Sequence, residues 1–515
     1  MNTFLQQHAD CVTGSISGWD RLRFRGTLRM LANLTGLQMF LSYTHHLFKD
    51  FGRYALEVSR QVRSASLHVA ERAARPVMHL NNPLVCKEDL ARCIAQRDHI
   101  TQGLICVLTA VEPCWSYNVQ SERTRGLLEL VHAYRKCQHI YHYLIDPVFG
   151  FMHVRLQTWL PLNLTVNLNG REWLSRQMDA AGLEYRRCDN CFTWLQDPTK
   201  AQQLLDSQVR FDWARALDRV ALPANPALKQ IVGDYHINYY WSLDQSEWAS
   251  DILFRSASDL RKLYPALIRH GIESFASPEV MRFLGRKVDK GITPRFRGEV
   301  ISDLARRPEG VRIKHRVNRN SVKMYDKAGS VLRVETTLND MSDLQAPRSV
   351  NGKRVWKRMR KGVADMPRRA QVSQAANRRY LQALAQVKAP TPLKSLTDQL
   401  SAPVQWKGKR VRGLNLLARE DAALLEAVAR GEFLVNGFRN RDLQQLLYDL
   451  PAKDPIQKRR RSGQITRKLR MLRAHGLVHK VPHTHRYMLS DKGRRVSTAL
   501  HAAREADIEK LSQAA

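Results

Sequence analysis

Between Glu420 and Ala503 the chain switches from helical to alternating periodicity and back, and this order restricts the fold more than any other feature. Glu420 and Asp421 precede the apolar stripe Leu424, Leu425 and Val428, and Gly431 lies just past its end. Acidic residues at the positive end and a glycine beyond the other predict a first helix. Asn440 as N-cap, followed by Leu443, Leu446 and Leu447, predicts a second that ends before Pro451. A basic run from Lys458 to Ser462 leads into a third. This one carries Ile465, Leu469 and Leu472 on one side and Gln464, Arg467, Lys468 and Met471 on the other, and it stops at His475-Gly476. Leu477 to Val481 alternates as a strand, Pro482 to Thr484 turns, and Arg486 to Leu489 returns. Ser490 to Gly493 then caps a last helix through Val496, Leu500 and Ala503.

Helix, helix, basic helix, two-stranded wing and helix is the order of a winged helix-turn-helix. The run "LRMLRAHGLVHKVPHTHRYMLSDKGRRV" resembles MarR-like winged-helix regulators, and the segment as a whole covers about a sixth of the chain. The resemblance implies a DNA-reading module. The residue types agree with it independently: Gln464, Arg467, Lys468 and Arg470 suit base edges and phosphates. Arg459, Arg460 and Arg461 stand where the chain would meet the backbone, and His485 and Arg486 in the wing, near a minor groove.

The charge points the same way. The 515 residues carry a net +35, too large for an incidental surface composition, so a polyanion is the natural partner. From Ala346 to Ala515 there are 37 Lys and Arg against 13 Asp and Glu, so +24 of that charge lies in the last third. No apolar run approaches the roughly 20 residues of a membrane-spanning helix, and the start "MNTFLQQHADCVTG" lacks a basic and then apolar leader. Eight irregularly spaced cysteines make no disulfide framework, and Cys188-Asp-Asn-Cys191 is a lone CxxC without the second pair that structural zinc needs. A cytoplasmic protein with no membrane partner is expected.

The length implies several domains, and the expected class is α+β. Residues 1–75 read as a helical basic region, with Arg21, Arg23, Arg25 and Arg29 beside Leu28, Leu31, Leu34 and Leu37. Residues 76–345 read as an α/β body around a mainly antiparallel sheet. Within it, "GLICVLTAVEP" is a buried strand, and His139 to Ile145 and Phe151 to Trp159 form a hairpin about Asp146–Gly150. A period of two sets His153, Arg155 and Gln157 opposite Met152, Val154 and Leu156. With Glu112, His139 and His142 on neighbouring strands, this face can hold a divalent metal that polarises a phosphate, Arg155 steadying the developing charge. Tyr141, Tyr143 and Trp159 fit equally a face that stacks bases, or an ordinary polar core.

Gly310 to Asn339 alternates as strands around a Lys327-Ala328-Gly329 turn. The string "SVKMYDK…LRVE" is similar to a motif of rolling-circle replication initiators. That resemblance implies a catalytic domain containing Tyr325, Asp326, Lys327, Arg333 and Glu335, with Glu335 a metal ligand. The His-hydrophobe-His motif of many such initiators is absent. His139 and His142 are separated by two residues, and His483 and His485 belong to the wing. Residues 346–417 form a basic helical connector, with a linker at Ala389 to Pro392, and residues 418–515 the winged-helix domain. The chain as a whole resembles a bacterial family with this same ending, a resemblance that implies no reaction. No phosphate-binding glycine loop is present.

The expectation is a DNA-binding protein of regulatory or mobile-element type, with a homodimer left open and no cofactor needed for binding. One alternative is a nicking initiator or transposase-like nuclease that uses Mg²⁺ or Mn²⁺ at Glu112, His139, His142, His153, Arg155 and Glu335. The other is an RNA-binding structural protein.

Overall fold

The computed structural model describes residues 2–122, 126–235, 237–286, 298–307, 310–385, 393–416, 419–448 and 450–504. In chain order its first thirteen strands are β1 (Val12–Leu28), β2 (Val77–His79), β3 (Gly103–Ser121), β4 (Leu128–Asp146), β5 (Gly150–Gln157), β6 (Leu164–Asn169), β7 (Tyr185–Cys188), β8 (Cys191–Leu195), β9 (Tyr239–Phe254), β10 (Val300–Arg307), β11 (Gly310–Val317), β12 (Asn320–Lys327) and β13 (Val331–Leu338). Eleven of them make one sheet in the order β10-β11-β12-β13-β9-β1-β6-β5-β4-β3-β2, while β7 and β8 form a separate hairpin. Among the described residues only the β2–β3 pair is parallel. The protein is therefore mixed α and β on a large, mostly antiparallel sheet.

β1 is the seam of that sheet. Two runs of antiparallel strands, β3 to β6 and β9 to β13, meet on its two edges. The helical reading of residues 1–75 is corrected here: helices occur at Asn2–Gln7, Leu34–Tyr43 and Phe51–Arg72, but Val12–Leu28 is a strand. The reason is the alternation Arg21-Leu22-Arg23-Phe24-Arg25. A period of two buries Leu22 and Phe24 on one face and exposes all three arginines on the other. A helix would have scattered them around its circumference.

One face of the sheet carries much of the two largest apolar cores. Leu22, Phe24, Val154, Leu156 and Val166 pack with the helices Phe51–Arg72 and Trp213–Ala221, and Val322, Met324, Leu332 and Val334 with Ala257–Glu273 and Met366–Ala385. Asn377 ties the last of these helices to the strands. Its amide donates to the carbonyls of Trp248 and Val334 at 2.9 Å each, and its Oδ1 accepts from Thr336 at 2.6 Å.

The C-terminal elements share their own core of Leu424, Val428, Phe438, Leu443, Ile465, Leu469, Leu472 and Val496. They run as helices Arg419–Val428, Gly431–Asn436, Asn440–Leu447 and Pro455–Ala474, strands Val478–Lys480 and Tyr487–Leu489, and helix Asp491–Arg504. Three local expectations shift. Arg439 rather than Asn440 is the N-cap, with Asp442 accepting from its N–H at 2.8 Å. The basic run lies inside its helix, which Asp454 caps and Pro455 opens. Met471 is buried on the apolar side, not the polar one. The expected linker at Ala389 to Pro392 lies outside the described residues.

Candidate functional site: the polar face of the sheet

The other face carries rows of polar residues, laid down by register. Residues directly opposed across antiparallel strands share a face. Arg25 of β1 stands opposite Thr165, Thr165 opposite Arg155, and Arg155 opposite Tyr141. One row further, Arg23, Asn167, His153 and Tyr143 line up in the same way. The helix Lys87–Arg97 covers the β3–β4 end, setting Ala91 and Ile94 on Leu108, Tyr141 and Tyr143. Arg21, Arg23 and Arg25 are exposed at every second residue, about 6.8 Å apart in an extended strand.

An acidic cluster stands at the end of this arginine row. Between Trp19, opposite Trp248, and Leu22, opposite Ser246, β1 carries two residues where β9 carries one; this bulge brings Asp20 to Glu247. On the next strand Glu335 is opposite Ala249. One oxygen from each of Asp20, Glu247 and Glu335 lies within 4.8 Å of the others, the only such set of His, Cys, Asp and Glu among the described residues. Asn190, from the β7–β8 turn, donates to both Asp20 oxygens at 3.2 Å. Tyr325 donates to Glu335 Oε2 at 2.8 Å, and Lys323 Nζ lies 2.6 Å from Oε1. Behind them Arg333, fully buried, forks onto Asp251 at 2.6 and 2.8 Å and reaches Asp20 at 3.3 Å, and Arg171 meets Asp251 at 2.9 Å.

The carboxyls divide by surroundings. Burial pushes Glu247 up to about 8, helped by the adjacent Glu335 charge. Burial also raises Asp20, against the pull of Arg333. For Glu335 burial acts upward too, but Lys323 and Arg333 outweigh it and hold the group ionised. Glu247, half-buried, and Glu335, buried beside it, therefore hold one proton between them at neutral pH, a place that a hard cation can take.

The six expected catalytic residues do not form one site. Glu335 is six strands from Glu112 in the sheet order, roughly 28 Å at the usual strand spacing. Glu112 is occupied by cations: Lys87 and Arg155 each lie 3.3 Å away, and the Tyr141 hydroxyl donates to it. Burial alone would raise its carboxyl, yet Tyr141 and Arg155 lower it overall. His139 lies within 3.4 Å of Arg155 through Nε2 and 3.3 Å of the Cys137 carbonyl through Nδ1. His153 pairs with Asn167 at 2.9 Å. His142 is on the opposite face, among the core residues, because a separation of three along a strand reverses the side. Burial takes all three histidines down to about 4, aided at His139 and His153 by Arg155. Glu112, His139 and Arg155 thus meet in an ion-paired polar cluster, apart from His142 and Glu335.

The C-terminal residues fall into two groups. Arg459, Arg460, Arg467, Arg470 and His485 are exposed. The others are engaged: Gln464 accepts from the Tyr448 hydroxyl at 2.6 Å, Arg461 donates to the Leu450 carbonyl at 2.6 Å, and Lys468 lies 3.3 Å from Glu420. Arg486 donates to the Gly437 carbonyl at 3.2 Å and lies over the Trp356 ring of the connector.

No protein-family model matches the chain, and neither a curated protein nor a solved structure does. Sequence reasoning passed over Asp20 and Glu247. The available signal was a carboxylate inside an apolar strand, as in "SGWDRL" and "SEWASDILF", where an unpartnered charge is too costly to bury.

Proposed function

We propose that the protein binds duplex DNA through a C-terminal winged helix and is of regulatory or mobile-element type. One observation carries the reading. The helix Pro455–Ala474 buries Ile465, Leu469 and Leu472 while Arg459, Arg460, Arg467 and Arg470 are exposed on it, the division that a groove-entering helix requires. A second supports it: Phe438, just ahead of the helix Asn440–Leu447, exchanges backbone hydrogen bonds of 2.9 and 2.8 Å with Tyr487, an antiparallel bridge that ties the second helix to the wing. Arg467→Ala should weaken binding to a preferred duplex by roughly 1–3 kcal/mol if the guanidinium reads a base edge. Fluorescence anisotropy with a selected site checks this, and unchanged affinity would remove Arg467 from the interface.

The acidic cluster favours a second reading, metal-dependent phosphodiester cleavage on the body. Asp20, Glu247 and Glu335 offer the oxygen ligands that Mg²⁺ or Mn²⁺ prefers, next to an exposed arginine row suited to a phosphate backbone. A bound cation would polarise the scissile phosphate, while Lys323 and Arg21 counter the charge that develops. Supercoiled DNA incubated with and without each cation should nick only with metal, and Glu335→Gln should abolish nicking while duplex binding persists. Equal nicking by the variant would sink this assignment.

A further inference from the structure

β3 and β4 run on past their neighbours. β2 pairs only with Val107, Leu108 and Thr109, and β5 only from His139 onward, so Glu112–Ser121 and Leu128–Gln138 pair mainly with each other as a two-stranded arm. At the root of that arm are two thiols. Cys114 is opposite Arg135 and Cys137 opposite Glu112, so the cysteines are diagonal neighbours on one face. Their Sγ atoms are 3.0 Å apart, and both residues are buried, at 6% and 7% exposure. A rotation of the side chains closes that gap to the roughly 2.05 Å of a bond.

We propose that Cys114 and Cys137 form a reversible disulfide when the protein meets a small peroxide. The surroundings divide the roles. Either sulfur can donate in this contact; with Cys137 as the donor its S–H lowers Cys114, with Arg155 and Arg135 adding to the effect against burial, and Arg135 stands directly opposite Cys114 in the register, so Cys114 is the better nucleophile. The same contact, together with burial, raises Cys137. The Cys114 thiolate attacks a peroxide oxygen, the O–O bond breaks, and after protonation of the leaving oxygen one water and a sulfenic acid result. The Cys137 sulfur then attacks the sulfenic sulfur, its S–O bond breaks, and a second water leaves with the Cys137 proton. Two thiols are oxidised and one peroxide is reduced. Burial excludes bulkier oxidants, and a link between two strands of one arm, made and broken by thiol chemistry, is the kind that serves regulation. The link would staple the arm beside Glu112, His139 and Arg155.

The test uses the full chain under native conditions. Hydrogen peroxide should remove two of the eight thiols, leave an intact mass lower by two hydrogens, and give one cross-linked peptide pair joining Cys114 to Cys137. Dithiothreitol should restore both thiols. In Cys137→Ala, which keeps a small apolar side chain, Cys114 should stop at a sulfenic acid that dimedone traps. Retention of all eight thiols would overturn the proposal. So would a first loss at the exposed Cys86, Cys93 or Cys188, a link between Cys188 and Cys191, or a product that dithiothreitol does not reverse.

Discussion

Arg333 has no exposed surface, yet it is charged, and Asp251 and Asp20 are the reason it can be. Removing one member of such a set leaves the others buried and unpaired, which costs about 3–5 kcal/mol. Arg333→Met should therefore lower stability by about that much in urea unfolding, whereas loss of an exposed arginine such as Arg53 should cost little. The acidic cluster in front of Arg333 makes a separate pH prediction. Between its ordinary 4.5 and about 8, Glu247 keeps a proton in the folded chain that the unfolded chain has released. The folded state binds more protons there, so this residue makes stability fall as pH rises through that window. Glu335, lowered overall, acts in the opposite sense and favours the fold above its ordinary value. Glu247→Gln should flatten the decline, read as urea midpoints between pH 5 and pH 8; an unchanged slope would assign it to other groups.

At the level of elements, the sheet is held to its helical layer by a few polar contacts set among apolar ones. Asn377 is the clearest, spanning β9 and β13 from the helix Met366–Ala385. Asn377→Ala should cost about 1–3 kcal/mol for each buried group left without its partner, and proteolysis should first open the helix Met366–Ala385 rather than the C-terminal core. Equal protection of that helix in the variant and the parent would show that apolar packing alone holds it. Several elements were legible locally. The hairpin β4–β5 and the turn at Ala328-Gly329 follow from period and turn residues. β1 was misjudged because leucines three apart downstream of Arg25 suggested a helix, although the arginines themselves repeat every two. His139 and His142 stand close in the sequence yet on opposite faces for a similar reason: the face a residue takes depends on its segment being a strand throughout.

For the whole molecule, charge is the property with the widest reach. Each phosphate contact on duplex DNA contributes about 0.9 to the slope of log affinity against log salt. Replacing Arg459, Arg460, Arg467 and Arg470 together with Gln should therefore reduce that slope by about 3 to 4. A slope that stays steep would move duplex binding to another basic surface, with the arginine row of β1 the first place to look. The sequence by itself determined the mixed class, the alternation of most strands, the basic helix with its apolar stripe and the uneven charge, because each depends on residues within a turn or two of one another. Only the tertiary structure decided that Asp20, Glu247 and Glu335 meet while Glu112 and Glu335 do not, and that Cys114 touches Cys137. Those meetings depend on strand order, on register and on one bulge in β1. Register in turn is set by burying one face of every strand at once, a condition that hundreds of residues satisfy jointly and no local stretch records.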